Sequence, residues 1–191
     1  MSARRFVALP ERLLVDAIKV AESMGIPYTV LIERILSEVI KVLRYKRDLL
    51  ESLAMVDAFD DIRRLGGVVL PEKAVREMLS YVGPAKLGEV CSEVSRMAAW
   101  FAELAKVKRS VTPAEIRNSL ELWLPSASVD LIKEGDDSYK FVVSFVSYSR
   151  ELLEVSKCAV EGLARGYGLD PYDVSVGSAV IVLRAGGLRE E

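Results

Sequence analysis

The chain has 191 residues, of which 51% are hydrophobic and 28% charged, and its formal net charge is −2. This composition is typical of soluble globular proteins and supplies enough apolar residues for one sizeable core or two modest domains. No uncharged apolar run of about 18 residues is present, and the N-terminus lacks the apolar segment of a signal peptide. We therefore expect a cytoplasmic protein with no membrane association.

Histidine is absent, which excludes several kinds of site. Without an imidazole there can be no Ser-His-Asp triad, no Cys-His dyad and no His-based nickel or zinc centre. The sequence also contains no glycine-rich phosphate loop and no dinucleotide-binding fingerprint. The acidic residues of the C-terminal half show no spacing that requires a paired-carboxylate site: Glu151, Glu154, Glu161, Asp170 and Asp173. We therefore expect no metal, no cofactor and no enzymatic activity.

The amide side chains are unusually scarce. Glutamine is absent and Asn118 is the only asparagine, whereas Glu, Lys and Arg are plentiful. Proteins of hyperthermophiles avoid heat-labile amides, so a thermophile source is expected, with compositional drift as the alternative. Cys91 and Cys158 could form a disulfide in such an organism. Because both lie on apolar helical faces, we expect buried thiols instead.

The first predicted elements are a short strand and two helices. Residues 4–9 alternate in the manner of a strand, and apolar residues then recur at helical spacing over 10–24 and 28–44. Pro10 suits the first turn of a helix, and Gly25 suits the left-handed position after its end. A lone strand of about six residues cannot satisfy its own backbone groups, so we expect a second copy of the chain to pair with it.

Residues 6–14, followed by the Gly-Ile-Pro-Tyr-Thr-Val-Leu-Ile run of 25–32, resemble the ribbon-helix-helix DNA-binding proteins. The run is most similar to the antitoxin-type members of that group. The resemblance implies a homodimer that places a two-stranded β-ribbon in the major groove of double-stranded DNA. It also implies that Arg4, Phe6 and Ala8 face the bases. Of these three side chains only that of Arg4 can hydrogen-bond a base edge, which weakens the expectation of sharp sequence specificity.

The resemblance further implies that phosphates bind at the start of the second helix. The backbone amides of Tyr28 and Thr29 are the expected donors there, and Arg5 and Arg12 are expected at the rim. Charge supports this, because residues 1–48 contain nine Lys or Arg and six acids, whereas the remainder contains seventeen and twenty-two. A strand register shifted by one residue would instead turn Arg5 and Val7 outward.

The remainder of the chain predicts helices followed by strands. Helices are predicted over 49–65, 71–82 and 84–107, and a fourth from Thr112 onward. Two strands are then predicted over 129–134 and 139–146, joined at 135–137. A helix over 150–166 follows, and residues 173–184 are predicted as one strand or as a hairpin bent at Gly177. Thr112, Pro113 and Glu115 have the pattern of a capping box with proline at the first helical position. This order is similar to that of ligand-sensing domains of the 4-vinyl-reductase type.

The predicted fold is therefore α+β. A ribbon-helix-helix dimerisation module in residues 1–47 precedes a helical segment and a small antiparallel α+β domain in residues 48–191. The leading hypothesis is a homodimeric transcriptional regulator whose rear domain senses an effector or extends the oligomer. A pocket between helices and sheet could hold a small apolar effector, although Trp100, Phe101 and Trp123 suit a core better. The alternative is an antitoxin-like or scaffold protein whose front module only dimerises and whose tail binds a protein partner.

Overall fold

The computed structural model of the chain describes residues 7–45 and 49–188. Within these residues the chain forms seven helices and four strands, which confirms the α+β class. The chain divides into two compact units, here called the front unit, Met1–Leu53, and the rear unit, Ala54–Glu191. The domain boundary that we predict after residue 47 falls among residues outside the described ranges.

The front unit contains the two predicted helices, α1 (Glu11–Ser23) and α2 (Tyr28–Leu43). Gly25 has a φ of +66°, as the pattern predicts. The amide of Ile26 donates to the carbonyl of Ala21, and the amide of Gly25 donates to that of Glu22, each at 3.1 Å. These two bonds form a Schellman motif, which ends α1 and turns the chain into α2.

The structure describes only the end of the strand predicted over residues 4–9, and that part is not a strand. Residues 7–10 have no regular secondary structure, and Arg4, Arg5 and Phe6 lie outside the described residues. The physical reason is that the described part of the front unit contains no other strand, so an extended segment has no neighbour for a hydrogen-bonded ladder. Val7 is 80% exposed and Leu9 44% exposed, so neither apolar side chain is covered.

Four further helices follow, close to their predicted positions: α3 (Leu49–Arg64), α4 (Glu72–Ser80), α5 (Pro84–Lys108) and α6 (Pro113–Trp123). Thr112 caps α6, because its hydroxyl accepts a hydrogen bond from the amide of Glu115 at 3.2 Å. Only this half of the predicted capping box forms. The carboxylate of Glu115 instead binds Arg109, 2.9 Å away.

A four-stranded antiparallel sheet follows, in the order β1-β2-β4-β3. Its strands are β1 (Ala127–Lys133), β2 (Tyr139–Phe145), β3 (Tyr172–Val176) and β4 (Val180–Ala185), and α7 (Arg150–Tyr167) lies between the two hairpins in sequence. The predicted hairpin of β1 and β2 forms, and residues 173–184 adopt the hairpin that was one of their two predicted alternatives. The last one bends at Gly177, whose amide donates to the carbonyl of Val180 at 2.8 Å. The alternative of one long strand over 173–184 is therefore wrong.

The core of the rear unit lies between one face of the sheet and its helices. Every second residue of β2 is buried: Tyr139, Phe141, Val143 and Phe145. Helix α6 packs on β1 and β2, α7 packs on β3 and β4, and α5 packs along α7. The sheet, α6 with α7, and α5 therefore form successive layers.

Helices α5 and α7 approach each other very closely. A Cβ on Gly162 would lie 2.9 Å from the Cβ of Ala98, and one on Gly166 would lie 2.7 Å from that of Ala102. Only glycine at these two places allows the backbones so near. None of the helices in the described ranges is long and apolar enough to cross a membrane.

Cys91 of α5 and Cys158 of α7 form a disulfide, with their Cα atoms 5.4 Å apart. Our expectation of two buried thiols is therefore wrong. Both cysteines are half-buried. Helical periodicity correctly places each cysteine on the inward side of its helix. It does not show that α5 and α7 lie side by side where the two cysteines are.

Candidate functional site

The most unusual surface of the front unit is the apolar side of its helix pair. Among the described residues of α1 and α2, only Ala21 and Leu31 are buried. The exposed large apolar side chains of these two helices are Leu13, Val15, Val20, Met24, Val30, Ile35, Leu36, Ile40, Val42 and Leu43. Two helices with this much uncovered apolar surface require another polypeptide surface against them.

The start of α2 presents unpaired backbone donors. Its N-cap residue is Pro27, which offers no side-chain hydrogen bond. The carbonyl of Pro27 accepts from Val30 at 3.0 Å, so the amides of Tyr28 and Thr29 precede the first bonded turn. These two amides, together with the positive end of the helix dipole, form an arrangement that suits an anion such as a phosphate.

The other residues predicted to contact DNA are distributed around the same unit. Tyr28 and Thr29 are exposed neighbours on the first turn of α2, Arg12 is exposed on the first turn of α1, and Ala8 is exposed before α1. Arg12 has no ion-pair partner among the described residues, whereas Lys41 near the end of α2 binds Glu38 at 2.6 Å. Arg4, Arg5 and Phe6 cannot be placed, since they fall outside the described ranges.

In the rear unit, a polar cluster joins α3 to the end of α5 and the start of α6. Lys108 donates to both carboxylate oxygens of Asp61, at 2.6 and 2.8 Å. Asp61 is only 1% exposed. Arg109 lies 2.9 Å from the carboxylate of Glu115 and 3.7 Å from that of Asp57. The hydrogen bond to Asp61 raises the pKa of Lys108 above its ordinary value, which keeps the ammonium charged.

Tyr167 of α7 extends this cluster into the core. Its hydroxyl lies 2.6 Å from that of Ser119 and donates to the carboxylate of Glu115 at 3.3 Å. Burial raises the pKa of the Glu115 carboxyl, against the opposing charge of Arg109. Burial also raises the pKa of the Tyr167 phenol. The carboxylates of the cluster are bound by cations of neighbouring elements, so its evident effect is to hold four helices together.

A groove of about 550 Å³ lies between α5 and α7. The helices that line it contribute small, charged and aromatic side chains and the disulfide: Gly88, Cys91, Ser92, Ser95, Arg96, Ala99, Trp100 and Glu103 from α5, and Cys158, Glu161 and Arg165 from α7. No residue of the sheet lines it, so it is not the pocket between helices and sheet that the sequence suggested. Trp100 is 45% exposed in this groove, which contradicts its expected place in the core.

The charged side chains of the groove are mostly paired. Arg165 donates to the hydroxyl of Ser95 at 2.6 Å. Arg96 binds Glu93 through Nε and Nη2, and its guanidinium lies 4.4 Å from the centre of the Trp100 ring. Glu103 is the exception, with no hydrogen-bond or ion-pair partner in the described part of the chain.

The polar cluster and the groove were both missed at the level of sequence. A partial signal existed for the cluster, since Asp57 and Asp61 are four residues apart on one helical face. Their partners at 108 and 109 are distant in sequence and become neighbours only when α3 packs beside the end of α5. Within the described residues, no three His, Cys, Asp or Glu side chains are grouped in a way that could hold a metal ion.

Comparison of the chain with models of known protein families and with curated protein sequences gave no match.

Proposed function

We propose that the chain is a homodimeric DNA-binding transcriptional regulator. In this proposal the front units of two copies pair, residues 4–9 of each copy form an antiparallel β-ribbon, and the ribbon enters the major groove of double-stranded DNA. The observation that carries the proposal is the uncovered apolar side of α1 and α2. No enzymatic activity is assigned to the chain.

Pairing of two front units accounts for that surface. Removal of apolar surface from water is favourable by roughly 25 cal/mol per Å², and the exposed apolar side chains of α1 and α2 supply such surface on each copy. The same pairing supplies the missing neighbour for the strand, since two copies of residues 4–9 can hydrogen-bond to each other across a two-fold axis. The turn at Gly25 supports the resemblance to ribbon-helix-helix proteins, because it joins two helices of the expected lengths at the expected place.

Charge and helix geometry favour DNA as the partner of this dimer. The first 48 residues carry a net charge of +3, from nine Lys or Arg and six acids. The free amides of Tyr28 and Thr29 suit a phosphate of the DNA backbone, and pairing doubles this site. Arg5 and Arg12 are the proposed side-chain contacts to phosphates, while Arg4 is the proposed contact to a base.

Filter binding of the chain to genomic DNA fragments, measured over a range of salt concentrations, tests this function. If Arg5 and Arg12 of both copies each neutralise one phosphate, the plot of log affinity against log salt should have a slope of about −3.6. Arg12→Ala should reduce the slope by roughly 1.8, because a dimer then loses two contacts. Lys41→Ala is the matched control, since Lys41 is paired with Glu38 at the far end of α2 and should leave the slope unchanged. Failure to retain DNA at any salt concentration would remove the proposal.

One observation favours the alternative in which the front module only dimerises. Two of the three predicted base-facing residues, Phe6 and Ala8, have no hydrogen-bonding side chain, so sequence recognition would depend on Arg4. In that case an antitoxin-like or scaffold role remains, and the rear unit would bind a protein partner. Purification of the chain from its native host distinguishes the two, because a stable protein partner should accompany it only in the second case.

A further inference from the structure

One side of α5 presents a stripe of mostly exposed residues within the rear unit. At spacings of three or four residues it carries Ser92, Arg96, Ala99 with Trp100, Glu103 and Val107. Trp100 is 45% exposed and Val107 is 84% exposed. Trp and Arg are enriched at protein–protein interfaces, so a stripe that carries Trp100 and Arg96 is a candidate contact surface.

The stripe is complementary to itself when two copies of α5 cross antiparallel. With the two-fold axis between Ala99 and Trp100, each residue meets the residue that lies equally far on the other side. Arg96 then faces Glu103 of the second copy, and Ala99 faces Trp100 of the second copy. Such reciprocal pairing is the defining property of an interface between two identical chains.

We propose that the groove between α5 and α7 is an interface with a second copy of this chain. The indole of Trp100 from each copy lies over Ala99 and Ser95 of the other, where small side chains leave room for it. Packed helices lie about 8–10 Å apart, depending on the side chains at the contact, and the small Ala99 lies at this crossing. The rear unit thereby acquires a role in assembly.

The Arg96 guanidinium keeps hydrogen-bond donors available for this contact. Glu93 occupies its Nε and Nη2 atoms, which leaves Nη1 free to donate to Glu103 of the second copy. Arginine has five N–H donors, so it can bind both carboxylates at once. Each interface would contain this ion pair twice, and it would give Glu103 the partner it lacks within its own chain.

A small ligand is a weaker explanation of the same groove. Its volume of about 550 Å³ falls within the range of small-ligand pockets. However, its polar groups do not converge on an unfilled position, since Arg165 is bound to Ser95 and Glu161 lies 3.2 Å from Lys157.

Cysteine cross-linking in the full chain tests this interface. In Ala99→Cys the two new thiols lie beside the two-fold axis, and mild oxidation should give a covalent dimer. The matched control is Lys86→Cys, on the exposed start of the same helix. Thirteen residues of helix put position 86 about 20 Å from the axis, so its two copies lie too far apart to cross-link. Absence of a covalent dimer for Ala99→Cys, or equal yields from both variants, would overturn the interface.

Charge reversal tests the proposed Arg96 contact in the Ala99→Cys background. Glu103→Arg should lower the cross-linking yield several-fold, because it places two arginines opposite each other. Adding Arg96→Glu should restore the yield, because the pair is then reversed rather than lost. If the second change fails to restore the yield, the assigned pairing is wrong. This interface does not require DNA binding. If Ala99→Cys cross-links but the chain retains no DNA, only the proposed function is refuted. If the chain retains DNA but Ala99→Cys does not cross-link, only this interface is refuted.

Discussion

Substitution of Gly166 by alanine tests the close packing of α5 on α7. The new Cβ would lie 2.8 Å from the Cα of Ala99 and 2.7 Å from the Cβ of Ala102. The Ala99 contact is with backbone, so it can be relieved only by separating the two helices. Overpacking of this kind costs about 1–3 kcal/mol. Because the contact cannot be relieved by a side-chain rotation, we expect the free energy of unfolding to fall by about 2 kcal/mol.

Gly88→Ala is the matched control, on α5 itself. A Cβ at Gly88 would have no neighbour within 4 Å. Alanine in an open helical position is favoured over glycine by roughly 1 kcal/mol, so this variant should be more stable than the wild type. The two substitutions should therefore differ in sign and by roughly 3 kcal/mol. Urea denaturation followed by circular dichroism, at one protein concentration and without reductant, measures the difference. A Gly166→Ala variant as stable as Gly88→Ala would refute the close approach of the helices.

Three further predictions concern the rear unit. Replacing Cys91 and Cys158 together by serine should lower the free energy of unfolding by up to about 4 kcal/mol, because a cross-link that spans 67 residues then no longer restricts the unfolded chain. Denaturation of the oxidised wild type beside the variant measures this loss, and equal stabilities would contradict the prediction. Burial raises the pKa of Tyr167, so the folded chain retains the phenol proton to higher pH than the unfolded chain. The free energy of unfolding should therefore fall as the pH rises above about 10, and Tyr167→Phe should lack this alkaline loss. Denaturation of both proteins at pH 8 to 11 can confirm or exclude this result. Burial also raises the pKa of Glu115, so the stability that its protonated carboxyl contributes is fully present below the unfolded pKa of about 4.5 and is lost as the pH rises through the folded pKa. The free energy of unfolding of the wild type should therefore fall relative to that of Glu115→Gln as the pH rises through these values. A difference independent of pH would count against burial of the carboxyl.

Local patterns predicted most elements of this fold correctly. The turn at Gly25, the cap at Thr112 and the bend at Gly177 each depend on residues within a few positions of one another. Such signals are readable in sequence because the physical constraint is itself local. The alternation of strand and helix patterns predicted a hairpin, then α7, then a further β segment, but left open whether that segment is one strand or a hairpin.

Features that join distant segments could not be predicted in the same way. The disulfide and the exposed position of Trp100 both depend on which side of α5 meets α7. Helical periodicity shows that a residue lies on an apolar face, but α5 is apolar over a wide arc and only part of it is covered. The ribbon is a different case, since its hydrogen bonds would form between two chains and no single chain contains them.

In the proposed dimer, a second copy covers the apolar side of the front unit and pairs with residues 4–9. Hydrogen exchange of the amides in residues 4–9, measured by mass spectrometry on the full chain, tests this pairing. Pairing predicts slow exchange in the wild type, fast exchange in Ile35→Glu on the apolar side of α2, and slow exchange in the equally charged control Ser37→Glu on its polar side. Exchange of these amides in the wild type at the rate of an unstructured peptide would contradict the claim.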